Sequence, residues 1–287
     1  MTASPVLRIG QLTDLHIGFD RTSAREANLI RLEAALALLN EPGLQPDLIL
    51  LTGDLTEHGD GPSFDQLAAA LAGCGVPVWP IPGNHDSRAA LLHAFPHVVT
   101  TDDFVHYTLD LPGLRVLMLD TLDPGRHGGA FCDRRARWLA ERLGEAPDTP
   151  TLIAMHHPPF AAGIAWMDTH PDEPWVARFG AAIAGHGQIV GIVCGHVHQA
   201  TTTRWRGVPA LIAGSTAPAV ALDLRPIDAD APDGRALIAG TAPGLALHCW
   251  DGTALISHLF TASPAPALAS HDGRMTALLR AMAAERP

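Results

Sequence analysis

Through its first 160 residues the chain repeats one pattern: a short apolar run, a polar knot of Gly, Asp, Asn or His, then an amphipathic stretch. Residues 7–13 read as a strand that ends at Asp14-Leu15-His16. Residues 25–40 carry apolar side chains at helical spacing and stop at Glu41-Pro42-Gly43, where proline and glycine break a helix. Residues 47–52 form a buried-strand run closed by Gly53-Asp54, and residues 63–72 are again helical. A third strand, 76–81, runs into Pro82-Gly83-Asn84-His85-Asp86. Strands alternating with helices predict a sheet with crossover helices.

The pattern then changes. Residues 104–111 and 114–121 flank Pro112-Gly113 and predict a hairpin. A helix over 133–143 follows, then a strand over 151–155 that leads into His156-His157-Pro158-Pro159. Another strand, 189–194, leads into Gly195-His196-Val197-His198. The part from about 200 to 262 reads as mainly β, including 245–250 and 254–260, and a helical tail closes the chain over 273–285. Residues 158–187, rich in Pro, Gly, Trp and acidic groups, read as an excursion over the strand ends. The mixture predicts two packed sheets flanked by helices. No repeat or low-complexity linker divides the chain, so residues 1–287 are expected to form one domain.

Composition narrows the function classes. The 287 residues are 47% hydrophobic and 17% charged, a globular balance rather than a disordered one. A formal charge of −11 argues against a nucleic-acid polymer as partner. Apolar runs are too short for a membrane span, and the N-terminus lacks a basic segment followed by a long apolar one, which predicts a cytoplasmic protein. Cys74, Cys132, Cys194 and Cys249 form no C-x-x-C pair, which fits reduced thiols and no zinc ribbon. All 19 basic residues are Arg, and the chain holds 16 His. The histidine excess is the feature that composition leaves unexplained.

Five polar knots follow predicted strands: Asp14-x-His16, Gly53-Asp54, Gly83-Asn84-His85-Asp86, His156-His157 and Gly195-His196-x-His198. Ligands collect at the carboxyl ends of strands in α/β sheets, so the knots are able to converge there. Asp and Asn oxygens with imidazole nitrogens suit Zn, Mn, Fe or Co. Asp14, His16, Asp54, Asn84, His156, His196 and His198 are seven side chains, too many for one tetrahedral ion. If Asp54 bridges, they make two sites of four ligands each.

The ordered pattern D-x-H, G-D, G-N-H-D, H, G-H-x-H spans residues 14–198 and resembles the calcineurin-like metallophosphoesterases. That resemblance implies a four-layer α/β/β/α sandwich of two mixed sheets. It also implies two divalent ions, one held by Asp14, His16, Asp54 and His198, the other by Asp54, Asn84, His156 and His196. His85 would be an outer residue at the phosphate or leaving group, oriented by Asp86. Within the family, Gly53-Asp54-Leu55-Thr56-x-x-Gly59, His156-His157-Pro158-Pro159 and Met167-Asp168 look most like class III cyclic nucleotide phosphodiesterases and bacterial glycerophosphodiesterases. Purple acid phosphatases carry Tyr where this chain has Glu57. The implied reaction is hydrolysis of a small phosphodiester, such as cAMP or a glycerophosphodiester, by a hydroxide bridging the two ions. A phosphomonoesterase or a nuclease of the same family is the alternative, and a non-catalytic scaffold a more remote one. The late β segments and the resemblance suggest a homodimer or larger homo-oligomer.

Several residues carry a plainer reading as well. His157 either supports the outer part of the site or only starts the Pro-Pro turn, and Asp86 could instead cap the helix from Arg88. Trp166, Met167, Asp168 and Trp175 could face substrate, but anchoring of the excursion is the favoured reading. Arg134, Arg135 and Arg137 read as a solvated helix face, and Cys194 as a strand-core thiol. His58, His93, His97, His106, His127, His170, His186, His248, His258 and His271 lie outside the knots and read mostly as surface or loop residues.

Overall fold

The computed structural model describes residues 6–23 and 25–285. In chain order its elements are β1 (Leu7–Leu12), α1 (Ala27–Leu39), β2 (Leu48–Thr52), α2 (Gly61–Leu71), β3 (Val78–Ile81), α3 (Arg88–Ala94), β4 (Tyr107–Leu111), β5 (Leu114–Leu119), α4 (Asp133–Glu145) and β6 (Thr151–Met155). They continue with α5 (Pro174–Ala182), β7 (Ile189–Cys194), β8 (Thr201–Trp205), β9 (Val208–Ile212), β10 (Ala219–Val220), β11 (Ile238–Ala239), β12 (Gly244–Trp250), β13 (Leu255–Thr261) and α6 (Thr276–Ala284).

Two mixed sheets form the centre. One has the order β13-β12-β1-β2-β3, the other β4-β5-β6-β7-β9-β8. Strands β1, β2 and β3 are parallel, as are β5, β6, β7 and β9. Parallel strands expose their carboxyl ends along one edge, so loops leaving them gather side by side. Both faces of these strands are covered, which is why β2 and β6 are buried at every position. Ile9 and Leu50 of the first sheet share one core with Val116 and Leu152 of the second, and with Leu32 of α1 and Phe64 of α2. Leu139 of α4 and Phe179 of α5 cover the outer face of the second sheet. The architecture is the four-layer sandwich that the sequence led us to expect.

The excursion over 158–187 holds a helix that sequence inspection passed over. Pro174 opens α5 within its first turn, where a missing N–H costs nothing. Trp175, Val176 and Phe179 bury one face of it. Trp175 and Met167 pack into the core, Asp168 accepts the Ala162 and Gly163 amides, and Trp166 is exposed. Arg135 is also corrected: it is buried, and its guanidinium donates to the carbonyls of Asp120 and Ala130. His106 and His248 are buried rather than superficial. No helix among the described residues is long and apolar enough to cross a membrane.

Candidate metal centre

The loops after β1, β2, β3, β6 and β7 meet at one place. His16 and His198 approach to 3.1 Å between their Nε2 atoms, with Asp14 Oδ1 3.5 Å from His198 Nε2. On the other side, His156 Nε2 lies 3.2 Å from Asn84 Oδ1 and His196 Nδ1 3.0 Å from the same oxygen. Asp54 stands between the two halves, its Oδ2 3.8 Å from His16 Nε2 and 3.3 Å from His156 Nε2. Asp14, His16 and His198, and separately Asp14, Asp54 and His156, place their donor atoms close enough to share an ion. The structure thus brings all seven side chains named above into one cluster.

The backbone there is strained. Asp14, His16, Asp54, His196 and His198 have φ between 48° and 74°, and they are five of the eight non-glycine residues with positive φ among those described. Left-handed φ costs such residues on the order of 1–3 kcal/mol each and persists where the surroundings fix it. Hydrogen bonds do so here: Asp14 N donates to the Gly53 carbonyl at 3.0 Å, and His16 N to the Asp54 carbonyl at 3.0 Å. His196 N donates to the Asp14 carboxylate at 3.0 Å. Gly53 has φ +90°, and a Cβ on it would collide with the His156 ring. At Gly83 the need is space, since a Cβ would strike the Asp54 carboxylate.

Tautomers follow from the hydrogen bonds. His198 Nδ1 faces the Pro218 carbonyl at 3.0 Å and His156 Nδ1 the Thr52 carbonyl at 2.8 Å. His16 Nδ1 faces the Glu57 carboxylate at 2.7 Å. These acceptors offer no proton, so each Nδ1 donates and each Nε2 turns a lone pair inward. Two lone pairs 3.1 Å apart beside carboxylates repel unless a cation or a proton intervenes. The donor set therefore fits divalent metal ions, and the remote partners hold the rings as outer partners of metal-ligating His do.

Without an ion, protons take that part. Burial opposes a charge on His156, but Asp54 beside it prevails and raises its pKa to about 9. Burial likewise opposes a charge on Asp54, whose pKa is nonetheless held well below the usual carboxylate range, chiefly by His156. His196 is pushed down to about 3 by burial and by His156.

Outside the seven, the geometry reassigns three residues. Asp86 makes no hydrogen bond to the His85 ring; its buried carboxylate accepts the amides of Leu55, Thr56 and Gly83, and the Thr56 hydroxyl. It ties the Gly-Asp loop to the Asn-His-Asp loop, and burial with the nearby Asp54 raises its pKa to about 6. Nor does Asp86 cap α3, because Ser87 does. His85 is instead oriented by the Glu57 carbonyl, 2.9 Å from its Nδ1. Glu57, which sequence inspection did not single out as part of the site, thus serves His16 with its side chain and His85 with its backbone. His157 is no open ligand, since both its ring nitrogens are engaged, by Thr121 Oγ1 at 2.8 Å and the His127 carbonyl at 3.1 Å.

Comparisons with known proteins agree. Residues 7–200 match the family model described as calcineurin-like phosphoesterase, and the chain belongs to that family. A relative in Arcobacter nitrofigilis, named "Probable glycerophosphodiester phosphodiesterase GpdQ", is 32% identical over 209 residues, 72% of this chain and 74% of that one. A "Probable cyclic nucleotide phosphodiesterase" of Rhodopseudomonas palustris is 36% identical over 202 residues, 68% of this chain and 72% of that one. Among solved structures, a dimetal phosphatase from Danio rerio is similar in fold, with a TM-score of 0.60 at 15% identity, covering 91% of this chain and 100% of its own. Family membership makes the protein a phosphoesterase, a hydrolase as the sequence led us to expect.

Proposed function

We propose that this chain is a binuclear metal-dependent phosphodiesterase acting on a small organic phosphodiester. The observation that carries the reading is the inward lone pairs of His16, His156 and His198, whose other nitrogens are spent, around the Asp14 and Asp54 carboxylates. Asp14, His16, Asp54 and His198 would hold one ion, and Asp54, Asn84, His156 and His196 the other. Imidazole and oxygen donors accept Mn, Fe, Zn or Co.

When bound, the pair supplies an activated water and a positive field for the phosphoryl oxygens. Two carboxylates leave the filled site net positive, which suits a phosphodiester monoanion. The chain's own contribution is orientation. The Asp54 carboxylate is fixed by the His85 amide, 2.8 Å from Oδ1, which leaves Oδ2 central. His85 keeps Nε2 free, since Nδ1 is occupied by the Glu57 carbonyl. In its imidazolium form it can pass the Nε2 proton to the departing oxygen, a step worth about 10²–10⁴-fold for a well-placed acid.

The names of the relatives favour a 3′,5′-cyclic nucleotide such as cAMP, or a glycerophosphodiester. The test is to strip the protein with chelator, reload Mn²⁺, Co²⁺ or Zn²⁺, and compare bis(p-nitrophenyl) phosphate, p-nitrophenyl phosphate, cAMP and glycerophosphocholine. Metal-dependent turnover of a diester is expected; preference for the monoester overturns the assignment. A cytoplasmic location and a homo-oligomer belong to the same proposal. Leu222, Leu224 and Ile238 are exposed and α6 buries none of its residues, which supports association between copies. A monomer by light scattering would contradict it.

A further inference from the structure

His157 follows the candidate ligand His156, and its ring packs 4.7 Å, centroid to centroid, from the rings of both His156 and His196, yet both its nitrogens are engaged by other partners. It is fully buried. Nδ1 accepts from the Thr121 hydroxyl at 2.8 Å, so Nε2 carries the proton and donates it to the His127 carbonyl at 3.1 Å. The same Thr121 Oγ1 accepts the His157 backbone amide at 3.3 Å, and the Thr121 carbonyl accepts the Ala130 amide at 2.9 Å. Gly129 lies against the His157 ring so closely that a Cβ there would come within 2.9 Å of His157 Cβ and 3.1 Å of Trp175. The loop between β5 and α4 is therefore pinned along its length by one buried imidazole.

That loop presents His127 at the rim. Its ring is 6.3 Å from that of His85, centroid to centroid. The residue is exposed, and no hydrogen bond to its ring exists among the described residues. We propose that His157 is a positioning residue which, through the backbone of His127, sets the His127 ring against the alcohol portion of the phosphodiester beside His85. The inference rests on the function proposed above. It gives the carbonyl side of the loop to His157 and the substrate side to His127.

The test is a double-mutant cycle on the metal-loaded enzyme with bis(p-nitrophenyl) phosphate. His127→Ala, at an exposed position, should raise KM about tenfold with kcat within about twofold. His157→Leu should do the same, and the double variant should be no worse than either alone, because the two act through one contact. His157→Gln keeps an amide N–H for the carbonyl and should recover most of the loss. Amide exchange of residues 123–130 should rise in His157→Leu and not in His157→Gln, and metal content should stay unchanged in all variants. Additive effects, an unchanged KM in His127→Ala, or metal loss in His157→Leu would overturn the proposal. If the wild type cleaves no phosphodiester, the functional reading fails, while amide exchange still decides whether His157 clamps the loop.

Discussion

His156 and His248 are both shut off from solvent, one at the strand ends and one in the seam between the sheets. His248 Nε2 donates to Gln11 Oε1 at 3.1 Å, and Nδ1 accepts from Ser257 Oγ at 2.8 Å. Gln11 continues to the Thr52 hydroxyl at 2.8 Å and to the Cys194 carbonyl at 3.0 Å, which joins β1 to the second sheet. Every polar atom of the His248 imidazole is satisfied by a neutral group, and burial lowers its pKa to about 4. His156 has one nitrogen satisfied and the other facing Asp54 and Asn84, and its pKa moves up to about 9. Burial alone therefore does not make a histidine a ligand. A ring becomes one when its remote nitrogen is tied down and its near nitrogen has only oxygens and other lone pairs to face.

The sharpest way to break this contrast is at Asp54, whose Oδ2 stands between His16 and His156. Asp54→Ala should lose both ions and about 10³-fold or more in kcat/KM, by metal analysis and diester assay. Retention of one ion would show that the bridge is elsewhere. His85→Ala should keep the metal and lose about 10²–10⁴-fold in kcat, because its proposed part lies at the leaving group and not at the ions. Equal metal loss would place it in the coordination set. Glu57→Gln, which weakens the hold on His16, should lower metal affinity by about 10–100-fold in a chelator competition.

The seam gives smaller effects of another kind. His248→Gln should leave metal content and KM unchanged and cost about 1–3 kcal/mol of stability in urea melts at pH 7, by leaving Gln11 or Ser257 unpaired. The pH dependence has a definite sign. An unfolded His binds a proton near pH 6.5 and folded His248 only near 4, so the unfolded state holds more protons between those values. The stability His248 contributes is complete above 6.5 and is lost as pH falls toward 4, by about 3 kcal/mol at most. In metal-free protein the gap between wild type and His248→Gln should narrow from pH 7 to 4.5. A gap that widens would refute the neutral, buried imidazole.

Much of the site was legible because its signals are local. Each knot directly follows an apolar run, and parallel strands carry such ends to one edge. Glu57 was not, because a carboxylate in a loop has no periodic signature and its partner His16 is 41 residues away. Arg135 looked solvated beside Arg134 and Arg137, yet a helix places neighbours about 100° apart, and its direction is inward. His248 sits on β12, flanked by β1 and β13 and covered on both faces, so no alternation in the sequence marks it as buried. The Pro-rich approach to Pro174 hid α5, although proline in a first turn is a helix signal.

The account turns on two ions sharing Asp54. Anomalous diffraction from Mn²⁺-soaked crystals, recorded at the manganese edge, tests that directly. Two peaks are predicted, one against Asp14, His16 and His198 and the other against Asn84, His156 and His196, with Asp54 touching both. A single peak, or peaks away from Asp54, would contradict it.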